Sequence, residues 1–486
     1  MCFGSLSSSD GKQICDMFGD YFSSNFLEKS SGSISEVLIP QSTEPPLVDI
    51  TGISIRTNNV LDLLKHVNMD DGRLVEWSGN WHFTQRSRVR IPPGADNLYD
   101  EYRCLHRVMD CMAQRTQVDV VYTDYSKCFD RIDHVILLQK LSLAGIRGDL
   151  FRWFKSYVEG RCQTVVLNGY TSRAMGINSR VPQGSLLGPF LFNIFINDVS
   201  SCIQYSKILL YADDVKIMKQ ISSVEDAYLL QKDLHSFQDY CSKNKLDLNV
   251  SKCYTCSFTR KQDRIQFPYQ LCGTYLTRVD MIRDLGVIFD SKFIFDIHIE
   301  NIVSKATKAL GFIFRISSEF KHIKTIKILY CSFVRSHLEY ASQVWNPTYK
   351  IYIDRLERVQ KKFLRHIQWR SNCYLPTYIS RCQNFHFLPL VERRRIADLT
   401  FLLSIFNGAL DTPDLLDKFR LRVPSACFRK FNVLDIPNAR STYRRNSYII
   451  RASRSFNTVS QEFDVDLFHT SVTKLKKTLF DSFFVS

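Results

Sequence analysis

The sequence predicts an α+β fold followed by a mainly helical, basic region. Between about residues 99 and 260, β-rich runs alternate with amphipathic helical stretches, and acidic residues stand at the ends of the runs. Beyond residue 290 the β-rich runs give way to long stretches of helical period rich in Lys and Arg. The chain of 486 residues is long enough for about three domains, and its apolar content is enough for real cores. Lys+Arg 64 against Asp+Glu 49 leaves a net charge of +15, which favours a polyanionic partner, nucleic acid before membrane.

Residues 1–35 are Ser-rich and hold one amphipathic piece with Phe18, Tyr21, Phe22 and Phe26 at helical spacing, expected to be core packing. Thr57 and Asn58 can cap a helix of about three turns carrying Val60, Leu61, Leu63, Leu64 and Val67. From 71 to 97 no period is sustained, so 71–98 is expected to be a linker or anomalous segment. An amphipathic helix is expected from Tyr99 to about Gln114. A strand follows, Val118 to Thr123, ending at Asp124. Residues 126–144 read as turn then helix, with Ile132, Ile136, Leu137 and Leu141 as the buried stripe, and a further helix starts near Asp149. Residues 163–170 read as a strand running into an Asn168-Gly169 turn. A Pro/Gly loop around Val181-Pro182-Gln183-Gly184-Ser185 opens onto a helix buried through Leu187, Leu191, Ile194 and Phe195.

The segment 207–218 then carries two β-prone runs flanking Ala212-Asp213-Asp214, a hairpin pattern with two acids at its tight connection. Adjacent carboxylates repel unless a cation sits between them, and hard oxygen ligands suit Mg²⁺. Turn chemistry alone is the other reading of Asp-Asp. Ser223 followed by Asp226 predicts a helix start, with Ala227, Leu230, Leu234, Phe237 and Cys241 on one face. Strands are expected at 269–275 and 285–289, then a helix buried through Ile299, Val303, Ala306, Leu310 and Ile313. Over 354–368, Leu356, Val359, Phe363, Leu364 and Ile367 share one face, while Arg355, Arg358, Lys361, Lys362 and Arg365 mostly fall away from it. Such a cationic face either tracks phosphates or is simply solvated.

Fifteen scattered cysteines with a single Cys-x-x-Cys, Cys253 and Cys256, indicate neither a disulfide framework nor a zinc ribbon. An intracellular setting, nuclear or cytoplasmic, is expected, with no secretion signal and no membrane span. Asp124, Asp213 and Asp214 are the candidate metal ligands. Three such acids can hold two Mg²⁺ ions, the arrangement that stabilises both the attacking 3′ oxygen and the leaving pyrophosphate in nucleotidyl transfer.

Three motifs occur in order: residues 124–134 (Asp-Tyr-Ser-Lys-Cys-Phe-Asp-Arg-Ile-Asp-His), 181–189 (Val-Pro-Gln-Gly-Ser-Leu-Leu-Gly-Pro) and 211–214 (Tyr-Ala-Asp-Asp). Together they resemble the palm of non-LTR retrotransposon reverse transcriptases. Residues 244–253, 285–290, Leu338-Glu339-Tyr340 and Val344-Trp345 are similar to the jockey-like members. The resemblance runs from about residue 99 almost to the C-terminus and more weakly over 14–70. It implies a right-hand polymerase palm, an antiparallel sheet with packed helices, over 99–260. A connector remnant would occupy 1–70, a thumb-like part of strands and basic helices 261–368, and a basic C-terminal region 369–486.

It further implies that Asp124 and Asp213 are metal ligands and Asp214 the third acid, with the Tyr125 carbonyl a further ligand. Phe129 would stand beside the nucleotide sugar, against the alternative of an ordinary core Phe. Gln183, Gly184 and Ser185 would face template and incoming nucleotide, against the alternative of a helix-start turn, and Tyr211 belongs with them. Lys252 would donate a proton to, or neutralise, the leaving pyrophosphate, against the alternative of a solvated lysine. The implied partners are an RNA template, a DNA primer and deoxynucleoside triphosphates, with Mg²⁺. The sequence also departs from the family pattern: Arg180 stands where a Gly is usual and Cys128 where an Ala is usual. The chain is expected to be truncated in the fingers and to lack the endonuclease domain. A second expectation therefore stands beside polymerase activity: a catalytically inactive nucleic-acid-binding remnant.

Overall fold

The computed structural model describes residues 116–485 apart from 168, 183–184, 186, 321, 411, 423–431, 440–441 and 464. Before residue 116 it describes only 2–3, 6–7, 12, 16, 49–50, 53–54, 108 and 111–112. The helices expected near residues 14–26, 57–67 and 99–114 and the segment 71–98 therefore lie largely or wholly outside the described residues, as do Gln183 and Gly184. The chain divides into two compact units, one holding residues 118–257 and 263–279, the other 258–262 and 280–486, each with part of the N-terminal stretch.

The first unit is built on a five-stranded sheet. Its strands are β1 (Gln117–Thr123), β2 (Lys207–Tyr211), β3 (Asp214–Ile221), β4 (Tyr254–Phe258) and β5 (Thr277–Val279), in the order β2-β3-β1-β4-β5. β2 and β3 are antiparallel and join through a two-residue turn, whereas β4 and β5 are parallel. The central strand β1 is buried along its whole length, so it alternates Val with residues that must also be satisfied inside. Asp119 is the costly one, a fully buried carboxylate. It accepts hydrogen bonds from Ser257 Oγ at 2.6 Å and Tyr269 Oη at 3.0 Å and pairs with Arg278 at 3.5 Å, which ties β1 to β4 and β5.

Four helices pack with this sheet: α1 (His134–Leu143), α2 (Gly148–Val158), α3 (Leu187–Ile196) and α4 (Val224–Lys243). Their apolar faces meet in one core that includes Ile132, Leu137, Leu141, Phe154, Leu191, Phe195, Leu230, Leu234 and Phe237. α1 begins at Asp133, whose side chain accepts from Val135 N and Ile136 N, an N-cap that satisfies two of the helix's free donors. α4 begins in the expected capping box of Ser223 and Asp226. The strand expected over 163–170 is instead two short pieces: Cys162–Gln163 pairs with Met175–Gly176, and Val166–Leu167 with Tyr170–Thr171.

In the second unit the strand expected over 285–289 is half of a hairpin, Met281–Asp284 with Val287–Asp290. Leu285 and Gly286 form its turn with φ +40° and +91°, the left-handed pair that a tight hairpin demands. The helices α5 (Asp296–Ile316) and α6 (Lys350–Arg370) run side by side in the same direction. Arg355 pairs with Glu300 at 2.7 Å near their N-termini, and Arg370 donates to the carbonyls of Ser317 and Phe320, both at 2.7 Å, near their C-termini. All five apolar positions expected on α6 are buried; on α5, Ile302 is buried and Val303 only half so. Further on, α7 (Leu390–Phe406) packs with α8 (Tyr448–Phe463) and α9 (Val472–Val485), and Arg451 of α8 grips Asp398 of α7. No helix among the described residues is long and apolar enough to cross a membrane.

Candidate active site at the sheet edge

Thr123, the last residue of β1, donates its hydroxyl to the carbonyl of Val215 on β3 at 3.1 Å. That bond brings the end of β1 beside the start of β3, so Asp124 and Asp214 leave the sheet at one edge. Asp124 is then clamped from the other side. Its carbonyl accepts from Asn249 N at 2.8 Å, and Ser126 N donates to Asp247 O at 2.8 Å, the two bonds of an antiparallel bridge between Tyr125 and Leu248. Arg131 pairs with Asp247, and Lys245 pairs with the N-cap Asp133 at 2.7 Å, so the segment after α4 is fastened at both ends. A 3-10 turn, Val250–Lys252, then carries Lys252 Nζ to 3.5 Å from Asp124 Oδ2.

The other two acids are not equivalent. Tyr211 and Asp214 close the β2–β3 hairpin as its last pair, so its turn is Ala212-Asp213, with Ala212 at φ +48°. Asp213 sits half-buried in the turn, while Asp214 is an exposed first residue of β3. The Cys128 thiol donates to Asp213 Oδ2 at 3.6 Å. Burial, then the neighbouring Asp213 charge, push that thiol up to about 12, so it stays protonated and remains a donor.

Tyr125 is 5% exposed and its ring packs in the core against Phe237, which leaves only its main chain to face the site. The bridge with Leu248 uses the carbonyl of Asp124 and the amide of Ser126, not the Tyr125 carbonyl. Phe129 is half-buried and stacks on Phe192 with ring centres 4.5 Å apart. Ser185 accepts from Gly188 N at 3.0 Å and donates to Pro182 O at 2.8 Å, so its hydroxyl is occupied in starting α3. Arg180, at the position where the family pattern carries Gly, has φ +88°. Its carbonyl accepts from Arg161 at 2.6 Å and contacts His134 Nε2 at 3.0 Å, and its guanidinium reaches Gln163 and Asp130. Burial holds the His134 imidazole below its usual range.

The sequence assigned no role to Asp247, Asn249, Lys245 or Asp133. Their pairing across more than a hundred residues left no local pattern beyond the motifs 124–134 and 244–253 in which they sit.

Carboxylate oxygens suit a hard divalent cation. Yet Asp124 faces Lys252 and Asp213 faces Cys128, and among the described residues no group of three or more His, Cys, Asp or Glu side chains stands close enough to hold a metal ion. As arranged here, the three acids do not form one ligand set.

A strand-end acid beside an Ala-Asp-Asp hairpin on a helix-backed sheet is the layout of a polymerase palm. Residues 85–314 match the family described as reverse transcriptase (RNA-dependent DNA polymerase), a match that begins inside the segment expected to be a linker. This segment is similar to a reverse transcriptase domain, of a family that generally works with a divalent metal.

The relatives narrow it further. The chain is 29% identical over 279 residues to the RNA-directed DNA polymerase from mobile element jockey of Drosophila funebris, covering 54% of this chain and 30% of that one. It is 24% identical over 271 residues to the probable RNA-directed DNA polymerase from transposon X-element of Drosophila melanogaster, again over 54% and 30%. The chain thus spans about 30% of the length of these relatives and over that part is similar to the reverse transcriptases of non-LTR retrotransposons. Among solved structures, apo telomerase from Candida tropicalis aligns with a TM-score of 0.34 at 11% identity, over 60% of this chain and 49% of that one, a loose likeness.

Proposed function

We propose that this chain is an RNA-directed DNA polymerase that extends a DNA primer 3′-hydroxyl with deoxynucleotides on an RNA template. The observation that carries the reading is the sheet edge itself: Asp124 and Asp214 leave neighbouring strands together, with Asp213 in the adjoining turn and Lys252 3.5 Å from Asp124. Asp124, Asp213 and Asp214, with the Tyr125 carbonyl, are the residues that would hold Mg²⁺ once the acids turn towards one another. A divalent metal held there would supply stabilisation of the charge on the attacking and leaving oxygens. Lys252 neutralises or protonates the leaving pyrophosphate, and its ammonium already lies at the carboxylate that would face it. Phe129 stands against the sugar, and Gln183, Gly184, Ser185 and Tyr211 line the side of template and nucleotide. Residues 99–260 act as palm, 261–368 as thumb and 369–486 as a basic accessory region in an intracellular setting.

The test is primer extension on an RNA template with Mg²⁺, wild type against Asp213→Asn. Loss of one preorganised charge of this kind lowers turnover by about 100-fold or more. A folded wild-type chain that does not extend the primer refutes the proposal. It would favour the second reading, a nucleic-acid-binding remnant, to which the unclosed acid set and the positive φ of Arg180 both point.

A further inference from the structure

We propose that the outer face of α6 and the turn after it, in the second unit, form a platform for single-stranded RNA. Arg358, Lys362, Arg365 and Trp369 follow one another at spacings of four, three and four residues, so they share one stripe of the helix. The opposite face is committed to the core through Leu356, Val359, Phe363, Leu364 and Ile367. Arg358, Lys362 and Arg365 are all exposed, and none has an ion-pair partner among the described residues. The neighbouring cations, by contrast, are used internally: Arg355 by Glu300, and Arg370 by two carbonyls of the α5 end. A row of exposed cations without counter-ions is complementary to a phosphate backbone.

The stripe ends in aromatic surface. Trp369 is 77% exposed and Tyr374 is 88% exposed, the two most exposed large apolar or aromatic side chains among the described residues. They lie five residues apart across a turn that Asn372 makes with φ +47°. The ring centre of Trp369 lies 6.2 Å from that of His366, which itself stacks on Phe314 with ring centres 4.3 Å apart. A face of this kind stacks on bases that are not already stacked in a duplex. Cations followed by open rings therefore select a single strand. The choice of RNA over DNA rests on the template assigned under the proposed function; the surface itself does not depend on catalysis.

The test is equilibrium binding of the full-length chain to a short labelled single-stranded RNA, with the same sequence as single-stranded DNA and as duplex RNA, beside primer extension run separately. Trp369→Ala is expected to weaken single-stranded RNA binding roughly 5- to 150-fold, the worth of one stacked base, with Trp369→Phe retaining most of the affinity and duplex binding unchanged. Replacing Arg358, Lys362 and Arg365 together by Gln is expected to reduce the salt slope by about 2, at about 0.7 per phosphate contact. Unchanged single-strand binding in Trp369→Ala, an equal loss on duplex, or tighter binding of the DNA strand than of the RNA overturns the assignment. If extension fails while these binding effects hold, the polymerase reading falls and the platform stands.

Discussion

Arg180 can be tested by comparing two substitutions with each other. With φ +88°, its backbone lies in the left-handed region, where a Cβ crowds the neighbouring carbonyl at a cost of about 1–2 kcal/mol for any residue but Gly. Arg180→Gly and Arg180→Ala both delete the same side-chain contacts, the 3.3 Å bond to Gln163 and the 3.6 Å pairing with Asp130. That loss is about 1 kcal/mol and cancels in the comparison. Both keep the main-chain bonds, Arg180 N to Ile132 O at 2.9 Å and the carbonyl taken by Arg161. What remains is relief of the Cβ clash in the Gly variant against its greater unfolded-state entropy, about 0.4–1 kcal/mol. Gly is therefore expected to be more stable than Ala by about 0.5–1 kcal/mol, where an ordinary loop position shows the reverse sign. Urea unfolding read by hydrogen exchange of β1 and α1 isolates the unit that carries Arg180. Ala exceeding Gly by several tenths of a kcal/mol would refute the strained backbone.

Two further outcomes follow from a buried and a half-buried ring. His298 is 2% exposed, its Nδ1 accepts from Ile288 N at 3.2 Å, and burial, then the charges of Lys305 and Arg283, lower its imidazole to about 4. It is thus neutral in the fold, and its contribution is complete above the unfolded value of about 6.5 and lost as pH falls towards about 4, because the unfolded chain takes the proton first. The second unit is expected to lose up to about 3 kcal/mol across that window. His298→Asn, which keeps an acceptor for Ile288, flattens the difference between urea midpoints at neutral and acid pH. Phe129→Ala removes the ring proposed to face the sugar and is expected to raise ribonucleotide over deoxynucleotide incorporation roughly 10- to 200-fold. Unchanged selectivity in single-nucleotide extension would return Phe129, with its Phe192 stack, to the core.

Local chemistry made much of the fold legible. The Ser223–Asp226 box starts α4 where expected, and Ala227, Leu230, Leu234, Phe237 and Cys241 are all buried, because a helix's buried face and its first turn are written within a few residues. Turns were less legible. Leu285 reads as a strand residue from its β-branched neighbours, yet the chain reverses there, and only Gly286 after it hints at the left-handed pair. The buried Asp119 was illegible in another way: it occupies an alternating position that suits an exposed strand face, and the partners that make it tolerable, Ser257, Tyr269 and Arg278, lie more than 130 residues away.

The same distinction applies at the sheet edge, and it bears on what Asp-Asp means there. Two adjacent acids look interchangeable as text, but the hairpin register separates them. Asp214 is locked opposite Tyr211 as a strand residue, and Val215 after it points inward, whereas Asp213 belongs to the turn and has a thiol donor in Cys128. Asp124 is fixed through its main chain by Asn249, with Lys252 at its carboxylate. Each acid is thus held by a different kind of restraint: strand pairing, a turn with a side-chain donor, and a main-chain clamp with a cation. Asp124 and Asp213 have partners that a rotation about the side chain can release, Lys252 being largely exposed and Cys128 a weak donor. The backbone positions are the fixed part of the arrangement. Arg180 differs from all three in kind, because there the main chain itself holds a conformation that favours glycine.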